Sequence, residues 1–280
     1  MHPSAPGSPP LHGLTGTMHR LMSEATVLLL HGQPGGGADW DAVVRRLGRA
    51  ETIASTRPGW TAGTRPLGLE GNARAALADL DARGIDRAVV VGHSLGAAVA
   101  AWLAAAQPER VAALVLVAPA ANLAALYPLD RWLAAPVVGE LASAVTVGSL
   151  GIGLTLPPIR RRIAQCSGID EGYLRVARRT ALRPSSWRTY ASEQRTLVRD
   201  LPELQRRLAT ITAPTTILAG ERDRIVPPRA ARELARQIPG ARLVIRARAG
   251  HLLPHRAPEL VADAIVTALS TSSPATLGAG

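Results

Sequence analysis

Apolar runs alternate with amphipathic stretches along most of the chain. Short apolar or β-branched runs predict buried strands at residues 26–30, 88–91, 111–117, 215–219 and 243–245, with a weaker strand at 51–55. Helical periodicity follows them, at 39–47, 72–83, 97–107, 229–237 and 258–269. Asp39 is predicted to cap the first helix and Gly48 to end it. Apolar strands separated by helices predict a mainly parallel, twisted sheet with helices on both faces, an α/β fold.

The alternation breaks at residues 122–208, where the pattern predicts helices only. Within this segment, residues 141–159 carry no charge and precede three consecutive arginines at 160–162, so they approach the length of a membrane span. The run is interrupted by glycines and prolines: Gly148, Gly151, Gly153, Pro157 and Pro158. Such residues break a spanning helix, so we interpret the segment as the lining of a cavity. This argues against membrane contact, with interfacial attachment as the alternative left open.

Composition favours a compact protein. Of its 280 residues, 47% are hydrophobic, enough to fill one large core. Cys166 is the only cysteine, so no internal disulfide forms and a reducing compartment is favoured. Residues 1–23 are rich in proline and glycine and lack the apolar stretch of a signal peptide, so we expect a flexible segment and a cytoplasmic protein. Residues 271–280 are expected to form a flexible tail.

The formal net charge of +11 comes entirely from arginine, because the chain contains no lysine. These arginines are dispersed, and aromatic residues make up only 3% of the chain, so stacking platforms for bases are scarce. We therefore expect no nucleic-acid partner. The sequence contains no H-E-x-x-H motif and no paired cysteines, so we expect no metal and no other cofactor.

The pentapeptide GHSLG at residues 92–96 joins a predicted strand to a predicted helix. A serine on such a sharp turn is exposed at the carboxyl edge of the sheet, where it can act as a nucleophile. The flanking glycines are needed because side chains there would collide as the strand and helix approach each other. Ser94 is therefore the candidate nucleophile.

A serine nucleophile needs a base, and the base needs a group that orients it. Two predicted strands downstream end beside suitable side chains: Asp223 follows 215–219, and His251 follows 243–245. Each has a rival in the sequence. Glu221 lies nearer the strand end than Asp223, and His255 is as titratable as His251.

These motifs together resemble the α/β-hydrolase superfamily, in particular its cap-bearing esterases and carbon-carbon bond hydrolases. The resemblance extends over residues 26–269 and rests on five pieces: HGQPGG at 31–36, RPGW at 57–60, GHSLG at 92–96, GERD at 220–223 and Gly250-His251 with PEL at 258–260. Ser94, Asp223 and His251 follow the chain order of that fold's triad. The resemblance favours Asp223 and His251 over their rivals. We interpret His31 and His93 as structural residues that hold loop backbone near the site by hydrogen bonds.

The resemblance also implies an organisation. The hydrolase core would comprise residues 24–121 and 209–270, and the all-helical segment 122–208 would be a cap that roofs the serine. Tyr127, Trp132, Trp187 and Tyr190 are candidates for an aromatic wall of its cavity. The backbone N–H groups of Gln33 and Leu95 would form the oxyanion hole. The hairpin with which members of the superfamily usually open is not evident in residues 1–23.

The expected function is that of a carboxylesterase-like serine hydrolase, which cleaves an ester-type acyl bond of a small, largely apolar molecule through an acyl-enzyme. A carbon-carbon bond hydrolase and a cofactor-free perhydrolase of the haloperoxidase type would use the same triad. A non-catalytic module that binds small molecules on the same fold is the alternative from another class.

Overall fold

The structure is a computed structural model that describes residues 26–167 and 169–272. In these residues six strands form one parallel sheet in the order β2-β1-β3-β4-β5-β6. The strands are β1 (Thr26–Leu30), β2 (Thr52–Ser55), β3 (Ala88–His93), β4 (Val111–Val117), β5 (Thr215–Gly220) and β6 (Arg242–Arg246). The predicted parallel sheet is confirmed, and all six predicted strands are present with ends shifted by at most two residues.

Eleven α-helices connect and cover the strands in the described residues. They are α1 (Asp41–Leu47), α2 (Leu69–Asp81), α3 (Leu95–Ala106), α4 (Pro128–Ala134), α5 (Val138–Gly153), α6 (Pro157–Ser167), α7 (Glu171–Ala181), α8 (Ser186–Arg207), α9 (Pro228–Gln237), α10 (Leu253–Arg256) and α11 (Pro258–Ser272). Helix α11 continues to Ser272, so it includes the first two residues of the predicted flexible tail. The predictions for residues 1–23 and for the rest of the tail lie outside the described residues.

The central strands β1, β3, β4 and β5 are buried on both faces, because their alternate residues enter two separate hydrophobic clusters. Leu28, Val90 and Leu114 point toward a cluster that includes α2, α3 and α9. Val27 and Val89 point the opposite way, toward a cluster formed with α1 and α11. Burial on both faces explains why these four strands consist mostly of apolar residues.

The first helix begins differently from the prediction. Residues Gly37–Trp40 form a 3-10 turn, Trp40 occupies the N-cap position, and α1 starts at Asp41. Asp39 was predicted to cap this helix, and that prediction is wrong. Its carboxylate instead accepts a hydrogen bond from the Gly36 N–H at 3.3 Å, because the turn points the side chain back toward its own loop. Gly48 ends α1 with a φ of 64°, as predicted.

Between β4 and β5 the described residues form five consecutive α-helices, α4 to α8, which we call the helical insert. In the part of the chain that the structure describes, no single helix is both long and apolar enough to span a membrane. Helices Pro128–Ala134 and Val138–Gly153 pass that test only as a pair, and a bend of 101° separates them.

The order of the strands determines where a site can form. The chain proceeds from β1 outward to β2 and then returns to the other side of β1 to form β3. Ligands of open α/β sheets bind outside the carboxyl ends of the strands at such a switch point. The loop after β1 carries Gln33, and the turn after β3 carries Ser94. The predicted serine and one predicted oxyanion donor therefore lie at this position.

Candidate active site

Ser94 occupies a sharp turn between β3 and α3. Its φ of 54° is unusual for a residue with a side chain, and such strain is concentrated at functional sites. A Cβ at Gly92 would overlap the backbone of Gly96, and a Cβ at Gly96 would overlap the carbonyl oxygens of Leu30 and His31. Both glycines are therefore required by backbone contacts across the turn.

Asp223 and His251 are brought together by the loops after β5 and β6. Asp223 Oδ2 lies 2.8 Å from His251 Nδ1. Its other oxygen, Oδ1, accepts hydrogen bonds from the N–H groups of Ile225 and Val226 at 2.8 and 2.9 Å. The carboxylate is thus fixed on both sides. Because Nδ1 is engaged with Asp223, Nε2 is the imidazole nitrogen left to accept a proton.

The two rivals from the sequence have other partners. Glu221 is exposed, and its Oε2 accepts a hydrogen bond from the Arg248 N–H at 3.1 Å. The His255 ring packs on the Tyr173 ring with 4.2 Å between centroids. Burial lowers the pKa of His255 to about 4, so this imidazole is a poor base at neutral pH. The geometry therefore favours Asp223 and His251 among the alternatives left open.

Ser94 and His251 line two adjoining cavities. A cavity of about 370 Å³ is lined by His251, and a smaller one of about 80 Å³ is lined by Ser94. Gln33, Tyr190 and Ile225 line both. No hydrogen bond joins the Ser94 hydroxyl to His251 among the described side chains. Catalytic hydrogen bonds are often long without substrate, so this arrangement is compatible with a serine that engages the base when substrate binds.

The two predicted oxyanion donors lie next to Ser94. Leu95 is the first residue of α3, so its N–H has no intrahelical acceptor, and it lines the smaller cavity. Gln33 lines both cavities. Its side chain is turned toward the helical insert, where Nε2 donates to Gln194 Oε1 at 2.8 Å, and Gln194 Nε2 donates to Asp130 Oδ1 at 2.9 Å. The Gln33 side chain therefore links the loop after β1 to the helical insert by a hydrogen bond.

A buried ion pair supports the same loop. Arg57 Nη2 donates to the Gly32 carbonyl oxygen at 3.0 Å and lies 3.2 Å from the Glu193 carboxylate. Trp60 Nε1 donates to the same carboxylate at 3.0 Å. His31 Nε2 accepts the Arg57 N–H at 2.9 Å, while His31 Nδ1 lies 2.6 Å from the Gly32 carbonyl oxygen. Burial, together with the nearby Arg57 charge, lowers the pKa of His31 well below its ordinary value, so its ring is neutral.

His93 supports the loop that carries His251 in a similar way. Its Nε2 lies 3.1 Å from the backbone carbonyl oxygen of His251, and the two ring centroids are 4.9 Å apart. Burial and the neighbouring His251 hold the pKa of His93 well below its ordinary value. His93 is thus neutral beside His251, and it donates to the loop that carries His251. These contacts agree with the structural roles predicted for His31 and His93.

Asp39 lies in the larger cavity as a buried carboxyl group. Burial raises its pKa to about 7, although a hydrogen bond from the Tyr173 hydroxyl, the Gly36 N–H and the nearby Arg57 oppose this shift. Tyr173 belongs to α7 of the helical insert, and burial raises its own pKa well above the ordinary value. The Asp39–Tyr173 contact therefore joins the loop after β1 to the insert.

Sequence reasoning missed several residues of this site. Tyr173 and Gln194 contact the loop after β1 from helices α7 and α8, and Glu193 on α8 holds Arg57, which donates to that loop. Nothing in the sequence marks which side of those helices faces the core. Of the four aromatic residues predicted to line the cavity, Tyr190 does so, whereas the Trp132 side chain is 66% exposed. Within residues 26–167 and 169–272, no group of three or more His, Cys, Asp or Glu side chains could hold a metal ion.

A parallel sheet with a serine elbow after β3, an acid after β5 and a histidine after β6 defines the α/β-hydrolase fold. The model of the Alpha/beta hydrolase family matches residues 27–264, and the chain belongs to this family. A solved structure of a hydrolase from Pseudomonas aeruginosa PA01 is 25% identical and has a TM-score of 0.70, covering 88% of this chain and 89% of that chain.

Two curated relatives match parts of the chain. Lipase LipV of Mycobacterium tuberculosis is 40% identical over 104 residues, or 35% of this chain and 39% of the lipase. A pimeloyl-[acyl-carrier protein] methyl ester esterase of Neisseria meningitidis is 30% identical over 187 residues, or 66% of this chain and 57% of the esterase. The chain thus spans less than two thirds of the length of either relative.

Proposed function

We propose that the protein is a serine hydrolase that cleaves an ester-type acyl bond of a small, largely apolar substrate. The observation that carries the proposal is the 2.8 Å hydrogen bond between Asp223 and His251, which lies on the same sheet edge as Ser94. Two relatives named as a lipase and an esterase support it. Family membership alone would not support a particular activity, because one fold serves many functions.

In the proposed mechanism Ser94 attacks the acyl carbon while His251 Nε2 takes the hydroxyl proton. Asp223 holds the imidazole in its tautomer and stabilises the imidazolium. The N–H groups of Leu95 and Gln33 receive the negative charge on the carbonyl oxygen, each lowering the barrier by about 3 kcal/mol. His251 then protonates the leaving group, and water attacks the acyl-enzyme by the same route. No step requires a cofactor.

The two cavities differ in size, which favours a substrate whose acyl and alcohol parts also differ in size. Apolar side chains of the insert, including Leu150, Leu154 and Leu174, form part of the wall of the larger cavity, and its volume of about 370 Å³ suits a medium-sized acyl chain. The smaller cavity holds about 80 Å³, room for two or three groups the size of a water molecule. We infer that the acyl group occupies the former and a short alcohol the latter.

Paired substitutions test the assignment against its rivals. Ser94→Ala, His251→Gln and Asp223→Asn are each expected to lower turnover of methyl butyrate, followed by release of acid, by about 10⁴-fold. The matched control Glu221→Gln is expected to retain turnover within about threefold, since Glu221 contacts no member of the proposed triad. His255→Gln changes the wall of the larger cavity, so it is expected to lower turnover far less than His251→Gln does. Wild-type turnover by Ser94→Ala would refute the assignment of Ser94 as the nucleophile. Equal losses in His251→Gln and His255→Gln would refute the assignment of His251, and equal losses in Asp223→Asn and Glu221→Gln would refute that of Asp223.

A fluorophosphonate probe separates the enzyme from a binding module. Rapid labelling that is abolished by Ser94→Ala, and retained by the exposed Ser149→Ala, is expected for an active triad. Absence of labelling in the wild type would favour a module that only binds small molecules. For the substrate, methyl esters of graded acyl length should be hydrolysed well, and esters of the same acyl groups with long alcohols poorly. The reverse preference would contradict the assignment of the two cavities.

A further inference from the structure

One segment of the helical insert exposes most of the large hydrophobic side chains that are open to solvent. Ten of the fifteen such side chains in the described residues lie within 129–159: Leu129, Trp132, Val137, Val138, Leu141, Val145, Leu150, Ile152, Leu156 and Ile159. Their exposed fractions range from 41% to 70%. Of these side chains, Leu150 also lines the larger cavity. Soluble monomers rarely concentrate apolar surface in this way, and a patch of this kind marks an interaction surface.

Helix α5 shows the pattern most clearly. Val138, Leu141, Val145 and Ile152 recur at intervals of three, four and seven residues, so they share one side of the helix, and they are 48%, 65%, 70% and 63% exposed. The opposite side, which includes Val147, is buried in the insert. A helix at a protein surface normally turns a polar side toward water. The exposed side of α5 is therefore mostly apolar, with the small hydroxyls of Thr146 and Ser149 among its side chains, and we call the row of four apolar residues the outer face of α5.

Glu140 lies at the start of α5 but is paired with Arg195 at 3.3 Å, and the residues that follow it up to position 169 carry charge of one sign. Residues 141–169 contain three arginines and not one aspartate or glutamate. Arg160 pairs with Glu171 at 3.0 Å, whereas Arg161 and Arg162 are exposed and have no ion pair among the described residues. An apolar face next to unneutralised arginines is complementary to a surface that is apolar inside and anionic outside.

A second copy of the chain fits this surface less well, because two copies would bring like-charged arginines together. A membrane-spanning arrangement is disfavoured by the 101° bend between Pro128–Ala134 and Val138–Gly153. We propose that the outer face of α5, with Arg161 and Arg162, docks the protein in the interfacial plane of an anionic lipid bilayer. This docking is independent of the proposed catalytic function, so Ser94→Ala is expected to dock as the wild type does.

Flotation of the full chain with lipid vesicles tests the proposal. We expect it to float with vesicles of phosphatidylglycerol and phosphatidylcholine in equal parts, and weakly with phosphatidylcholine alone. An arginine at an anionic surface strengthens partitioning about fivefold, so Arg161→Glu/Arg162→Glu is expected to weaken it by about 25-fold or more. Leu141→Ser/Val145→Ser is expected to weaken it by about tenfold or more. Both variants should hydrolyse soluble methyl butyrate as the wild type does.

A matched control distinguishes the proposed face from the overall positive charge. Arg45 and Arg46 are exposed on α1, so Arg45→Glu/Arg46→Glu changes the net charge as much as the double variant in the insert. It should keep its vesicle binding, and a loss equal to that of Arg161→Glu/Arg162→Glu would overturn the proposal. Equal binding to neutral and anionic vesicles would overturn it too. So would an absence of binding together with a dimer that Leu141→Ser/Val145→Ser dissociates, since the face would then join two copies.

Discussion

The buried carboxyl group of Asp39 should make the protein less stable as the pH rises. A single substitution, Asp39→Asn, can separate this contribution from those of other groups. Burial raises the pKa of Asp39 from 3.8 to about 7, so folding favours its protonated form. The stabilising contribution of a carboxyl with a raised pKa is fully present below the pKa of the unfolded chain. It is lost as pH rises through the pKa of the folded protein.

The size of the effect follows from the two pKa values. With a pKa of about 7 in the folded protein and 3.8 in the unfolded chain, the contribution falls by about 2 to 3 kcal/mol between about pH 5 and about pH 8. His31 and His93 act in the opposite direction, because their pKa values are lowered and their neutral forms favour folding at higher pH. The raw pH profile of the wild type is therefore a sum of opposing contributions.

Comparison with Asp39→Asn removes the contribution of the histidines, which both proteins share. Asparagine has the shape of the protonated carboxyl and cannot ionise. Urea unfolding at a series of pH values should show that the free energy of unfolding of the variant, relative to the wild type, rises by about 2 to 3 kcal/mol between about pH 5 and about pH 8. The exposed Asp86→Asn should show no such trend. A difference that stays constant with pH for Asp39→Asn would refute the reasoning.

Two further comparisons of variants probe the backbone at Gly96 and the buried ion pair between Arg57 and Glu193. Gly96→Ala should lower the free energy of unfolding by about 3 kcal/mol or more, because its Cβ would overlap the Leu30 carbonyl oxygen. Gly148→Ala, with no atom within 4 Å, should raise it by about 0.5 to 1 kcal/mol, and equal effects in urea unfolding would contradict this contrast. Glu193→Ala should cost about 3 to 5 kcal/mol because it leaves the Arg57 guanidinium buried without its counter-charge. Arg57→Met/Glu193→Leu should recover most of that loss, and a single-variant cost below about 1 kcal/mol would contradict the argument.

The fold could be predicted from the sequence because its signals are local. Each buried strand is a continuous apolar run, and each connecting helix has its own periodicity, so the alternation specifies a parallel sheet. The start of α1 could not be predicted, because an aspartate before a helix looks like a cap whether or not its side chain turns back. Asp39 turns back to accept the Gly36 N–H and the Tyr173 hydroxyl. Tyr173 is 134 residues away in the sequence.

The candidate site likewise contains residues that could be predicted from the sequence and residues that could not. Ser94, Asp223 and His251 could be singled out because each follows a predicted strand, and the carboxyl ends of parallel strands share one edge of the sheet. The contacts from the helical insert could not be predicted, since the side of α7 or α8 that meets the core depends on how the insert packs. Glu193 resembles any other glutamate on an amphipathic helix, yet it is fully buried against Arg57.

The contacts between the insert and the core converge on one loop. Glu193 reaches it through the arginine that holds the Gly32 carbonyl oxygen, Gln194 accepts from the Gln33 side chain, and Tyr173 donates to Asp39. This is the loop that carries the Gln33 N–H, one of the two proposed oxyanion donors. A donor in an oxyanion hole is effective only when it is held in place before the charge develops. Since three side chains of the insert fix this loop, a shift of the insert would move the proposed donor together with the walls of the cavity.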